Sequence, residues 1–183
     1  MFAAQVFDYV KALVLVFVFM VVQVSVTPQF SPFVGGADVI VILVVALALW
    51  RGLELASVAG FAGGFLLDAV LYRHLGLTSL AYLACAWVVA TFSRRGEAGA
   101  GMLEPTPPRP LPWVVAGALV VQVGLVAVEV LLGEGYPLGY LIWHQIVSSL
   151  LQTTLLALIL LPLLRRLFRP IRLRADVSPA TAV

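Results

Sequence analysis

Long apolar runs alternate with short polar breaks along this chain. The first run extends from about Ala12 to Val26 and ends at Thr27-Pro28-Gln29-Phe30-Ser31-Pro32, where proline cannot continue a helix. A second run, Val39 to Trp50, stops at Arg51-Gly52, and a third, Leu53 to Leu71, stops at Tyr72-Arg73-His74. The fourth covers Leu75 to Phe92, the fifth Trp113 to Leu132, and the sixth Leu138 to Leu164. Residues 93–112 differ from all of these, holding Arg94, Arg95, Glu97, Glu104, Arg109 and five prolines. About 20 apolar residues cross a bilayer as a helix. The pattern therefore predicts an all-α integral membrane protein with six transmembrane helices. Their expected bounds are about 8–27, 37–50, 53–71, 75–92, 113–132 and 138–164. Residues 1–168 form one transmembrane domain with a long loop at 93–112, and 169–183 form a basic tail. No internal repeat is visible.

The second run is short, and joining it to the third would give five spans. That would bury Arg51 near mid-membrane, at a cost of at least about 2.5–3.5 kcal/mol. Six spans also satisfy the positive-inside rule. With both termini cytoplasmic, Lys11, Arg51, Arg94, Arg95, Arg109 and the tail arginines share the inner side, and Arg73 stands alone outside. Trp50 and Trp113 then fall at the inner interface and Trp143 at the outer one. The first helix reads as an uncleaved span, because Asp8 and Lys11 precede a long apolar stretch without a small-residue cleavage pattern.

Composition sharpens this. The chain has 183 residues, 62% of them hydrophobic and only 11% charged, against about 25% charged in a soluble domain. A soluble globular enzyme and a disordered chain are excluded. A net charge of +2 offers nothing to neutralise a run of phosphates, so no nucleic acid is expected as partner. The single cysteine, Cys85, lies in an apolar run and reads as a small buried hydrophobe. No metal site, cofactor motif or catalytic constellation is evident.

Polar residues inside the apolar runs are the candidate functional positions, since an intramembrane ionisable group calls for a partner. Asp38 begins the second helix on the outer side. Asp68 ends the third, with Arg73 or His74 as expected partner. Gln23, Glu129, His144 and Gln145 fall toward the same side, where interface groups can also snorkel to water. Arg51 and Glu54, three residues apart, can pair on the inner side. Ala56, Gly60 and Gly64 form a small-residue face that admits another helix closely, within the chain or from a partner. Gln145, Ser148, Ser149, Gln152 and Thr153 form a polar stripe expected to face the bundle. Arg165, Arg166, Arg169, Arg172 and Arg174 suit anionic lipid headgroups, at about 1 kcal/mol each, or a docking patch. Asp38 and Asp68 also raise the question of an aspartyl dyad, which needs the carboxyls about 3 Å apart. Their local sequences match no protease motif.

Several of these residues recur in a recognisable order. Gly36-Ala37-Asp38, then Trp50-Arg51-Gly52, then Gly60 and Gly64-Phe65-Leu66-Leu67-Asp68, then Leu75-Gly76-Leu77-Thr78-Ser79-Leu80-Ala81-Tyr82 resemble the rod shape-determining protein MreD family over roughly residues 20–95. Pro162 matches a proline usual in that family's last helix. Ala37 and His74 depart from it, standing where the family usually has proline. The resemblance implies a non-enzymatic multi-pass protein of the bacterial inner membrane. It implies partnership with MreC, the RodA–PBP2 synthase and the MreB filament in lateral peptidoglycan synthesis. It also implies a fold similar to the membrane S component of ECF vitamin transporters, and such a solute-binding component is the alternative reading. Against the alternative, helix one is bulky where S components often carry an Ala-xxx-Ala face.

Overall fold

The segment Val39–Trp50, VIVILVVALALW, is apolar on every side. A helix without a polar face must be surrounded on all sides. In the computed structural model it is the central element, and Val39 through Ala48 are all buried. Around it stand five other helices. The structure describes residues 2–25, 36–71, 75–99, 110–133 and 146–168, with the side chains of 2–5 and 94–99 excepted. In chain order the helices are α1 (Phe2–Ser25), α2 (Val39–Trp50), α3 (Leu53–Val70), α4 (Leu77–Gly99), α5 (Pro110–Leu131) and α6 (Ser148–Leu167). All described regular structure is helical.

Each outer helix packs on α2, and α1–α3, α3–α4, α4–α5 and α5–α6 pack pairwise. Among the described residues the backbones of α1 and α6 do not approach closely, and the two meet where Lys11 reaches Leu167 and Phe168. The helices alternate in direction. One end of the bundle, the basic end, holds Asp8, Lys11, Arg51 and Phe168. The other, the Asp38 end, holds Gln23, Asp38, Asp68 and Gly76.

The outer surface is apolar. Phe7 and Phe17 of α1, Phe61 and Phe65 of α3, Leu80 and Trp87 of α4, and Leu155 and Ile159 of α6 are all exposed. Such a girdle suits lipid rather than water. Val6–Ser25, Leu53–Val70, Pro110–Leu131 and Ser148–Leu167 are four helices long and apolar enough to cross a membrane. The α2 helix, with 12 residues, is about 18 Å long against a hydrocarbon core of about 30 Å. It meets protein on all sides, so its length is not matched to lipid.

Several bounds differ from the sequence reading. Helix α4 continues through Gly99 and α5 begins at Pro110, so both enter the stretch 93–112 expected as loop. Arg, Glu and Ala are good helix formers and carry α4 onward, and proline at a first helical position loses no bond. Helix α1 starts at Phe2, before the expected residue 8. Helix α6 runs to Leu167, past the expected Leu164, and follows one π turn at Ile146–Val147. The expected start of that helix, at 138–145, lies outside the described residues.

Glycine sets the closest approach in the bundle. A Cβ on Gly64 would stand 2.5 Å from the Ser79 backbone nitrogen and Cα, and one on Gly60 would stand 3.3 Å from Tyr82 Cβ. The Ser79 hydroxyl closes this seam by donating to the Phe61 carbonyl at 3.2 Å. Ala56 on the same face is fully buried. The small-residue face of α3 is thus occupied by α4 of the same chain. Gly63, on the next flank, faces α2, where a Cβ would stand 2.9 Å from Ile40 Cγ2.

Candidate functional site

The first constellation is the N-terminus of α2. A helix start leaves four amides without intrahelical partners, and here they are enclosed by protein. Asp38 is the N-cap, its Oδ1 accepting from the Val41 amide at 3.2 Å. Gln23 of α1 reaches across, its Oε1 accepting from the amides of Val39 at 3.1 Å and Ile40 at 3.2 Å. The Tyr82 hydroxyl of α4 donates toward both carboxylate oxygens of Asp38, at 2.9 and 3.0 Å. The Asp38 amide donates to Thr153 Oγ1 of α6 at 2.9 Å. One turn away, Gln122 of α5 donates to Ser149 of α6. Asp38, Tyr82, Gln122, Ser149 and Thr153 are all buried. Gln122 stands nine residues before the end of α5 at Leu131, about 14 Å along the axis. The cluster is therefore recessed well inside the bundle.

Asp68 forms a second cap one turn away. Its Oδ2 accepts from the amides of Gly76 at 2.9 Å and Thr78 at 3.2 Å, at the start of α4. Gly76 has φ +98°, a conformation glycine adopts without strain, and this turns the incoming chain so that its amides face the carboxylate. Among the described residues Oδ1 of Asp68 is buried without a hydrogen-bond partner. Arg73 and His74, the partners expected from sequence, lie outside the described residues. Asp38 and Asp68 each bind their own donors and share no hydrogen bond, so the pair forms two helix caps rather than a dyad holding one proton.

The third constellation lies at the basic end. Arg51 donates from both terminal nitrogens to Asp8 of α1, with Nη2 to Oδ1 at 3.0 Å. The expected partner Glu54 is instead exposed. Gly52, at φ 102°, turns the chain between α2 and α3 and places Arg51 toward α1 rather than along its own helix. Lys11 donates to the Leu167 carbonyl at the end of α6. Two cations lie over the buried Phe168 ring, Lys11 Nζ 5.3 Å and the Arg51 guanidinium 5.9 Å from its centre. The bidentate fork needs arginine's planar guanidinium, whereas either a lysine or an arginine can sit over a ring face. This knot joins α1, the α2–α3 turn and α6.

Sequence reasoning named Asp38, Arg51, Asp68, Gln23 and Thr153 but not their partners. Asp8 and Tyr82 were missed as site residues. For Asp8 a signal existed, as an acid placed on the same side of the bundle as Arg51. No spacing rule links Tyr82 to Asp38, which lies 44 residues away. Glu129 is half-buried near the end of α5. Arg165 and Arg166 are exposed in the last turn of α6. Arg94 and Arg95 are on α4, without described side chains, and Arg109, His144, Gln145, Arg169, Arg172 and Arg174 lie outside the described residues. Cys85 is buried, against the position where a Cβ on Gly117 would sit. Comparison with known protein families, with curated proteins and with solved structures finds no match.

Proposed function

We propose that this chain is a non-enzymatic scaffold of the bacterial cell-elongation machinery. In this reading it crosses the inner membrane six times, with the basic end in the cytoplasm. It supports lateral peptidoglycan synthesis by binding MreC and, through it, the RodA–PBP2 synthase and the MreB filament. The observation that carries the reading is the use of the residues that resemble the MreD family. Asp38 caps α2, Arg51 ties α1 to the α2–α3 turn, Gly64 admits α4, and Asp68 caps α4. Each of them helps to set one helix against another, as a scaffold requires.

The test is complementation in a rod-shaped bacterium lacking its own family member. The chain should restore rod shape and co-purify with MreC. Cells that stay round while the chain accumulates normally would overturn the reading.

One observation favours the alternative of a solute-binding S component. The recessed Asp38–Tyr82–Gln23–Thr153 cluster is the kind of polar group set that lines a ligand cavity. Co-purification with transporter ATPase subunits, rather than MreC, would select it.

A further inference from the structure

The outward face of α3 is one narrow stripe. Glu54, Val58, Phe61 and Phe65 recur at helical spacing, which keeps them on one side of the helix. All four are exposed, and the rings of Phe61 and Phe65 stack with centroids 6.2 Å apart. The neighbouring α4 presents Leu80, Trp87 and Phe92, also exposed. Both faces are apolar over a short length. Helix α3 has 18 residues, about 27 Å, with the exposed carboxylate Glu54 in its first turn. The apolar part of α4 is Leu77–Ser93, 17 residues or about 26 Å, and Arg94 and Arg95 follow on the same helix. The spans of α5 and α6 are longer, at 22 and 20 residues, or about 33 Å and about 30 Å.

The short pair cannot lengthen its apolar band by sliding. A Cβ on Gly64 would stand 2.5 Å from the Ser79 backbone, and the Ser79 hydroxyl donates to the Phe61 carbonyl. Asp68, near the end of α3, binds the Gly76 and Thr78 amides where α4 begins, which holds those two helix ends level. Tilting does not help, because a tilted helix crosses less depth. An ordinary tilt of about 20° brings α3 and α4 to about 25 Å and leaves α5 and α6 at roughly 30 Å. A typical hydrocarbon core is about 30 Å thick. Drawing a carboxylate into that core is costly, so Glu54 marks an edge of the band on α3.

We propose that the α3–α4 flank fits a hydrocarbon layer about 25 Å thick and thins an ordinary bilayer beside it. Its occupant is lipid with shorter acyl chains. The α5–α6 flank fits lipid of ordinary length, so the bilayer thickness changes around the molecule. This inference rests on the chain crossing a membrane and on nothing about its protein partners.

The experiment is reconstitution of the full chain into vesicles of dipalmitoleoyl or dieicosenoyl phosphatidylcholine, which differ only in acyl length. Urea unfolding is followed by circular dichroism. The unfolding equilibrium constant should be about fivefold larger in the longer lipid, the effect of a few ångströms of mismatch at a fraction of a kcal/mol each. Glu54→Leu extends the apolar stripe of α3 by one turn and should reduce that ratio to less than about twofold. Arg166→Leu, at the end of α6, should leave it near fivefold. Both positions are exposed, so the substitutions disturb no packed contact. Equal or greater stability in the longer lipid overturns the proposal. An unchanged ratio in Glu54→Leu, or an equal reduction in Arg166→Leu, overturns its placement on α3 and α4. Flotation of the vesicles on a density gradient reports insertion separately. A chain that does not float with them fails the membrane reading itself, whereas a floating chain that prefers the longer lipid fails only this inference.

Discussion

Tyr82 and Asp38 show how single residues hold this bundle. The tyrosine hydroxyl is bonded to a carboxylate that already caps α2, and both groups are buried. Removing one partner leaves the other unsatisfied, which costs about 1–3 kcal/mol. Tyr82→Phe is expected to lower the unfolding temperature in detergent, with the helical content of the folded state unchanged. A thermal melt followed by circular dichroism checks this. Glycine offers a sharper comparison. A Cβ at Gly64 meets backbone atoms at 2.5 Å, whereas one at Gly124 meets only Ala81 Cβ at 3.9 Å. Overpacking costs about 1–3 kcal/mol, and alanine is the better helix former by about 1 kcal/mol. Gly64→Ala should therefore destabilise and Gly124→Ala should be neutral or stabilising, in the same melt. The sequence marks Gly60 and Gly64 as one small face but does not distinguish them from Gly124. The difference lies in which backbone stands opposite.

At the scale of elements, the question is what joins one helix to the next. The α2–α3 turn is fixed by Gly52, at φ 102°, where other residues cost about 1–3 kcal/mol. Its other anchor is Arg51 on Asp8. Both side chains are about a quarter exposed, so solvent screens the pair only in part. Asp8→Ala should reduce accumulation or melting temperature, while Glu54→Ala should behave as wild type. The exchange Asp8→Arg with Arg51→Asp should recover part of the loss. Equal effects of the two alanine substitutions would return Glu54 to the pairing. Element positions were largely legible, because each apolar run corresponds to one helix. The ends were less so. Hydropathy falls where α4 leaves the apolar zone after Phe92, but the backbone continues as helix to Gly99. Helix hydrogen bonds are local and do not stop where lipid stops.

For the whole molecule, direction and sidedness are separate matters. The alternating helices place Asp8, Arg51 and Phe168 together at one end. With that end in the cytoplasm, a cysteine at position 99, at the end of α4, is shielded from the outside. In a chain with Cys85 replaced, Gly99→Cys should resist an impermeant thiol reagent in intact cells and react after permeabilisation. Labelling in intact cells would reverse the orientation.

Hydropathy alone determined that this chain is helical, apolar outside and suited to a membrane, because burial in lipid constrains every residue along a span. It also marked Asp38, Arg51 and Asp68, since charge among apolar neighbours stands out in one dimension. Which groups answer those charges was decided only in three dimensions. Asp38 meets Tyr82, Arg51 meets Asp8 rather than Glu54, and Asp68 meets the amides that begin α4. The central place of α2 also belongs to tertiary structure. In a membrane chain nearly every run is apolar, so hydrophobicity no longer separates core from surface. Close approach at glycines and the satisfaction of buried polar groups make that separation instead, and both depend on neighbours distant in sequence.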